Sequence, residues 1–249
     1  MTRVAVNGVT GQMGGAVIEA ATDSDVVVGF ATSEEEAVDG VPVVHPDDAP
    51  GALREHDVDV VVDFAVPEGA LTVAEACAET GVPLVVGTTG FDEDGMARLR
   101  DASERVPVLK ATNFSQGIQV LQRLVREAVG TLEGYDLELM ETHHNRKVDA
   151  PSGTANSILD VVQEERDVEP VYGREGHAPR EDDEIGVLAR RAGDIRGEHE
   201  LVLAGNDEVL SLGHRAEDRG VFAAGALDAA TWLVGRDAGW YEFGDVVDG

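Results

Sequence analysis

The sequence predicts an α/β protein: a doubly wound parallel sheet at the N-terminal end, followed by a smaller α+β domain with a mixed sheet. Three observations predict it. Up to Asn113, short Val-rich runs alternate with segments whose apolar residues recur at helical spacing. The first run enters a glycine-rich turn that opens the first of those helical segments. Beyond Asn113 the rhythm changes, and longer alternating strands follow one another through glycine turns.

Arg3 to Asn7 is the first strand, and Gln12 to Ala21 the first helix, with Met13, Val17, Ile18 and Ala21 on one face. Val26 to Ala31, Val58 to Phe64, Val82 to Val86 and Val106 to Leu109 are further strands. Helices at Gly69 to Glu79 and Asp92 to Glu104 separate the later ones. Continuous apolar strands alternating with helices describe a parallel sheet covered on both faces, a Rossmann-type arrangement. Next come a helix at Gln116 to Leu132, an alternating strand at Tyr135 to Glu141 and a helix at Ser152 to Glu165. The acidic Gly/Pro-bearing stretch Arg166 to Glu184 reads as a surface loop. Ile185 to Arg191, His199 to Leu203 and Glu208 to His214 are strands whose open face suits pairing with another subunit. A final Ala-rich helix, Val221 to Leu233, returns to the first domain. The expected boundaries are thus 1–113 with 220–249 for the first domain, and 114–219 for the second.

The 249 residues carry 49 Asp+Glu against 19 Lys+Arg, a net charge of −30. Such a surface repels phosphate backbones and anionic lipid, so nucleic acid and membrane are excluded as expected partners. The charge reads as a hydrated acidic surface adapted to concentrated salt, where self-repulsion is screened. Cys77 is the only cysteine, no run reaches the roughly 18 apolar residues of a membrane helix, and the opening MTRVAVNGVTG lacks a signal-peptide pattern. A cytoplasmic protein is the expectation.

Four segments carry chemistry. Gly8, Val9, Thr10, Gly11, Gln12 and Met13, completed by Gly14, form a GxxGxxG turn between strand and helix, where backbone can approach a pyrophosphate and helix amides face it. About 20 residues on, the stretch that meets the adenosine ribose reads Ala31-Thr32-Ser33-Glu34-Glu35-Glu36. No cation there grips a 2′-phosphate, which leans towards NADH with NADPH open. Gly87, Thr88 and Thr89 follow the fourth strand and suit either a flat nicotinamide or a plain polar turn.

The strongest signal is Glu141-Thr142-His143-His144-Asn145-Arg146-Lys147, running on through Asp149 to Ser152, Gly153 and Thr154. Four basic groups follow a strand in a chain whose only lysines are Lys110 and Lys147. That pattern points to a small anion. A retained Lys147 suggests an ammonium that can release its proton, His143 or His144 can serve as acid, and Ser152 to Thr154 open a helix that can cradle a carboxylate. No metal is expected, because neither the lone cysteine nor an HExxH spacing supplies a ligand set. The fourth segment, Arg190 to His199, reads as a salt-bridged turn at a sheet edge or subunit contact.

Taken in order, VAVNGVTGQMG, VVGTTGF, ATNFSQG, ETHHNRKVDAPSGTA, RAGDIRGEH and HRAEDRGVFAAGA resemble the bacterial and archaeal dihydrodipicolinate reductases over nearly the whole chain. The resemblance implies an enzyme of lysine and diaminopimelate biosynthesis that uses NADH or NADPH to reduce a small anionic dicarboxylate, 4-hydroxy-tetrahydrodipicolinate, to tetrahydrodipicolinate. It implies His143 as proton donor/acceptor, Lys147 as proton donor, His144 as substrate ligand, and Gly153 with Thr154 as the carboxylate holder beside Ser152. Cofactor contacts carry over to the first glycine turn, to Gly87 through Thr89, and to Ala111, Thr112, Asn113 and Phe114. Ser33 aligns where many relatives carry an acid, followed by Glu34 where they carry a base. A homotetramer joined through the second domain's sheet is implied as well. Two other readings stay open at this point: a different small amino-acid dehydrogenase of aspartate or homoserine type, and a non-catalytic NAD(P)H sensor.

Overall fold

The computed structural model describes residues 1–248. In chain order the first elements are β1 (Thr2–Asn7), α1 (Gln12–Ala20), β2 (Ser24–Phe30), β3 (Ala37–Val38), β4 (Val41–Val44), α2 (Ala49–Glu55) and β5 (Val60–Asp63). They continue through α3 (Pro67–Thr80), β6 (Leu84–Val86), α4 (Glu93–Ser103) and β7 (Pro107–Lys110). Then come α5 (Gln116–Thr131), β8 (Asp136–His143), α6 (Gly153–Glu165), β9 (Glu169–Tyr172), β10 (Glu184–Arg191), β11 (Glu198–Gly205) and β12 (Glu208–Arg215). The chain closes with α7 (Gly220–Leu233), β13 (Gly239–Glu242) and α8 (Phe243–Asp248).

Two compact units emerge, one of Met1–Ser115 with the segment from Arg219 onward, the other Gln116–Asp218. The first holds an eight-stranded sheet in the order β13-β7-β6-β5-β1-β2-β4-β3, parallel throughout except for the β3-β4 pair. Val4, Val6, Val60 and Val62 face α1 and α7, while Ala5, Val61, Leu84 and Val108 face α2, α3 and α4. Both faces of the central strands are therefore dry, which is why those strands read as unbroken apolar runs. Local signals set the helix ends: Pro67 starts α3 and Gly81, at φ 79°, stops it, and the Asp92 side chain accepts from Gly95 N to cap α4.

Register decides what the sheet presents. Phe30, Asn7, Asp63, Val86, Lys110 and Glu242 are successive cross-strand partners, a row at the carboxyl ends of the strands. Gly8, Gly87 and Ala111 each come directly after a member of that row. All three ligand-facing turns of the sequence reading thus leave one edge of one sheet.

The second unit has a five-stranded sheet, β12-β11-β8-β10-β9, with β8, β9 and β10 parallel and β11 and β12 antiparallel to their neighbours. Ile118, Leu121 and Val125 of α5 and Ile158 and Val162 of α6 bury one face against Leu137, Leu139, Ile185 and Leu201. The other face carries Met140 and Val202 half-buried and Leu188 and Val209 exposed.

Several elements differ from expectation. The stretch Arg166 to Glu184 is not wholly loop, because Glu169–Tyr172 adds β9 in parallel to β10. The sequence pattern does not announce β3, β4, α2, β13 or α8: all are short, and three are at or next to a sheet edge, where half the burial that marks a strand in sequence is missing. Among the described residues, no helix is long and apolar enough to cross a membrane.

Candidate active site

In the first unit, β1 delivers the chain to Gly8, whose φ of 78° favours a residue without a side chain. Gly8 N donates to Phe30 O at 2.9 Å, Gly11 N donates to Gly8 O at 2.9 Å, and a Cβ on Gly8 would sit 2.5 Å from Phe64 O. A Cβ on Gly14 would collide with Gly8 O and Val9, so α1 starts packed against the turn. Gly11 caps α1 without a side chain and the first turn holds no acid, which leaves the helix amides and dipole directed at an incoming anion. These features fit the pyrophosphate of NAD(P). Thr10 and Gln12 are exposed and Met13 is half-buried, whereas Val9 is a core side chain that offers a ligand only its backbone.

Gly87 follows β6 where a Cβ would run into the Phe64 ring, and Thr88 beside it is buried while Thr89 is exposed. Lys110 Nζ donates to Thr88 O at 3.2 Å and lies 5.5 Å from the Phe91 ring centre, bracing this turn. Beneath it Asp63 is fully buried and accepts from Asn7 Nδ2 at 2.7 Å. Burial pushes the Asp63 carboxyl up to about 6, against the opposing pull of Thr88 and Asn7. Ala111, Thr112 and Asn113 follow β7, and Asn113 Oδ1 accepts from Ser115 N. Phe114 is different: its ring stacks edge-on with Phe64 and Phe243 inside the core, so any contact with a cofactor is through its backbone. Ser33 is exposed beyond β2, where its hydroxyl lowers the Glu35 carboxyl, and no cation occurs from Ala31 to Glu36.

In the second unit, β8 alternates so that Glu141 and His143 lie on the helix-covered face. The backbone then turns: Ala192 N donates to His143 O at 2.9 Å, Asn145 N to Gly193 O at 3.1 Å, and Lys147 N to His144 O at 3.2 Å. Lys147 Nζ pairs with Asp149 Oδ1 at 2.9 Å. Burial works to raise Asp149, but the hydrogen bond and charge of Lys147 hold it below its usual range. The turn ends at Ser152, the buried cap of α6, whose Oγ accepts from Ala155 N and lies 3.1 Å from His199 Nε2. Gly153 is exposed with open space around it, Thr154 is buried, and the first turn of α6 contains no acid. A carboxylate fits there.

Glu141 gathers the rest. Its side chain is fully buried, with Oε2 2.6 Å from His143 Nδ1, Oε1 accepting from Ser152 N at 3.2 Å, and Arg191 forked across both oxygens at 2.8 and 2.7 Å. Arg191 Nη2 also donates to Asp149 O, tying the 147–152 turn to β10. Burial acts to raise Glu141, yet Arg191 and His143 keep it below the ordinary carboxylate value. Burial lowers His143, with Glu141 pulling the other way and the charges of Lys147 and Arg191 adding to the fall. His199 is pushed down to about 4, by burial first and then by His143.

The structure thus brings His143, His144, Lys147, Ser152, Gly153 and Thr154 to one end of the second sheet, and the cofactor candidates to one edge of the first. Reading Arg190 to His199 as a salt-bridged turn at a sheet edge or subunit contact gave Arg191 and His199 no place in this cluster, which they enter from β10, through the Arg191–Glu141 ion pair, and from β11. Glu141 had a visible signal: an acid two residues before a histidine on the covered face of a strand calls for a partner. Among the described residues, no set of His, Cys, Asp and Glu is arranged to hold a metal ion.

The family pattern described as Dihydrodipicolinate reductase, N-terminus, matches residues 2–114, and that described as Dihydrodipicolinate reductase, C-terminus, matches residues 117–247. The chain is 88% identical over 248 residues to a protein of Haloarcula marismortui named 4-hydroxy-tetrahydrodipicolinate reductase, covering 100% of both. A protein of the same name from Natronomonas pharaonis is 54% identical, over 98% of this chain and 99% of its own. Among solved structures, the dipicolinate-bound dihydrodipicolinate reductase of Paenisporosarcina sp. TG-14 superposes with a TM-score of 0.79 at 21% identity, covering 97% of each chain, a likeness of fold.

Proposed function

The chain belongs to the dihydrodipicolinate reductase family, and from that premise we propose how its residues serve the NAD(P)H-dependent reduction of 4-hydroxy-tetrahydrodipicolinate to tetrahydrodipicolinate that it catalyses. Both halves of the chain match, which removes the ground from the readings as another dehydrogenase or a nucleotide sensor. Residues 1–113 with 220–249 bind the dinucleotide, and 114–219 bind substrate and form the oligomer. The bound nicotinamide supplies a hydride. Gly8 to Met13 hold the pyrophosphate by backbone amides, and Gly87 to Thr89 with Ala111 to Phe114 line the strand ends beside it. The stretch around Ser33 lacks a cation for a 2′-phosphate, so NADH is accepted.

Substrate and product differ by one hydroxyl. One hydride enters, and the hydroxyl departs with one proton as water. Lys147 donates that proton from an ammonium steadied by Asp149, and His143 exchanges protons beside it. His144, Ser152, Gly153 and Thr154 hold a carboxylate at the start of α6. The observation that carries this reading is the placement of one ammonium, a paired imidazole and an acid-free helix start within a single turn of chain.

The acidic surface is adapted to concentrated salt in the cytoplasm, and the open sheet face, with Leu188 and Val209 exposed, joins four copies. The test is oxidation of NADH and NADPH by freshly generated substrate, at low and at molar KCl, with light scattering on the same samples for the mass. Lys147→Ala and His143→Ala should each lower kcat by about a hundredfold or more while NADH affinity stays put. Lys147→Arg should fail similarly, because a guanidinium keeps its proton. Full turnover by Lys147→Ala would overturn the assignment.

A further inference from the structure

We propose that Glu141 is a positioning residue for His143: its carboxylate fixes the imidazole with hydrogen on Nδ1 and leaves Nε2, facing the side-chain-free Gly197, as the nitrogen that exchanges protons. This rests on the reading of His143 as the proton donor/acceptor.

The geometry leaves Glu141 little choice. With Arg191 forked across its two oxygens and the Ser152 amide on Oε1, the carboxylate is ionised and can only accept. The nitrogen 2.6 Å away must therefore supply the hydrogen, which assigns it to Nδ1. The ring is packed edge-on against His199 at 5.2 Å between centres, and its own carbonyl is held by Ala192 N. Nε2 faces Gly197. A Cβ on Gly197 would lie 3.1 Å from it, so the glycine is what keeps that nitrogen open. A buried acid that turns an imidazole into one tautomer is a recurring way of orienting a proton-transfer group.

The competing account is that Glu141 merely neutralises Arg191 inside the sheet. The two differ in what the ring feels. The charged and titratable groups facing His143 are Glu141 on its own strand, Lys147 from the following turn, Arg191 from β10 and His199 from β11, with His214 of β12 beyond His199. Glu141 favours the imidazolium, while Lys147 and Arg191 oppose it. Removing the acid and removing the arginine must then move the ring in opposite directions, which loss of a structural brace does not do.

The experiment is 15N NMR of histidine-labelled full-length protein in molar KCl, followed through a pH titration and assigned with His143→Gln. In the wild type the His143 resonances should show hydrogen on Nδ1 at neutral pH. Glu141→Gln should mix the two tautomers and lower the His143 midpoint by about one pH unit or more, whereas Arg191→Gln should raise it. The pH profile of kcat/KM should shift with each. A wild-type ring protonated on Nε2 overturns the proposal with no variant needed. So does a Glu141→Gln ring unchanged in tautomer and midpoint; if that variant does not fold, an Arg191→Gln midpoint that falls or stays put overturns it. The two failures are distinguishable: full turnover by His143→Ala would refute the catalytic reading and with it the proton-exchanging role of Nε2, whereas the tautomer and midpoint of the ring test the hold of Glu141 on the imidazole directly.

Discussion

Each unit buries one carboxylate completely, Asp63 at the end of β5 and Glu141 in β8, and the two go opposite ways. Asp63 is raised to about 6, while Glu141 is held below its usual value. Desolvation is the first influence on both and raises both. The difference is the company. Glu141 has a guanidinium across both oxygens, and Asp63 has neutral donors from the Asn7 side chain and the Ala65 amide, with Lys110 turned to the Thr88 carbonyl. Burial alone thus says that a carboxylate is perturbed, and only the cation beside it says in which direction. The comparison also separates two ways of building a site: the first unit uses backbone freed by Gly8, Gly14 and Gly87, the second uses paired side chains.

The largest expected effect breaks the Glu141 side of the comparison. Arg191→Ala leaves a buried carboxylate without its cation and should cost about 3–5 kcal/mol near neutral pH, measured by urea unfolding at fixed KCl. The deficit should shrink at low pH, where the unpaired Glu141 takes up a proton. A deficit under about 1 kcal/mol at pH 7 would mean the pair is not what stabilises this buried acid.

Asp63→Asn tests the other side. The folded protein keeps the Asp63 proton up to about pH 6, whereas the unfolded chain releases it near 3.8. The folded state then binds more protons between those values, so Asp63 makes stability fall as pH rises through that window. The amide that replaces the carboxyl carries no charge to desolvate and can still accept from Asn7. The variant should gain on the wild type from about pH 4 to 6 and remain ahead above that range by up to about 3 kcal/mol. A wild-type-minus-variant difference that is flat over this range would show that Asp63 titrates normally.

The smallest effect sharpens the contrast between the units. Ser152→Ala and Asp92→Ala each remove a helix cap, of α6 and of α4, worth about 1 kcal/mol. Ser152 should cost the more, because its buried hydroxyl also meets His199. Equal losses in the two unfolding curves would argue that this contact adds nothing.

The sequence made much of this molecule legible. β1, β5 and β6 are buried on both faces, so their burial is written as unbroken apolar runs rich in valine. The glycine turn at Gly8 and the cap at Ser152 are local devices with local signatures. The HHNRK segment stands out because its groups are contiguous in the chain. Elements whose shape comes from a neighbour escaped: β9 exists by pairing with β10 along an acidic stretch, and α2 begins with Ala-Pro-Gly, a weak helical text. Arg191 and His199 escaped for a similar reason. They lie 50 and 58 residues beyond Glu141, and the cross-strand register, with Arg191 opposite His143 and His199 opposite Glu141, is what joins them.

By itself, then, the sequence determined the order of the main strands and helices, the glycine turn after β1, the acidic surface and the contiguous HHNRK candidates for proton transfer, all properties carried by neighbouring residues. Tertiary structure decided which groups share a low-dielectric interior and at what distance. Desolvation and Coulomb attraction act through space, so whether Asp63 rises and Glu141 falls, and which nitrogen of His143 is left open, became settled only once β8, β10 and β11 lay side by side.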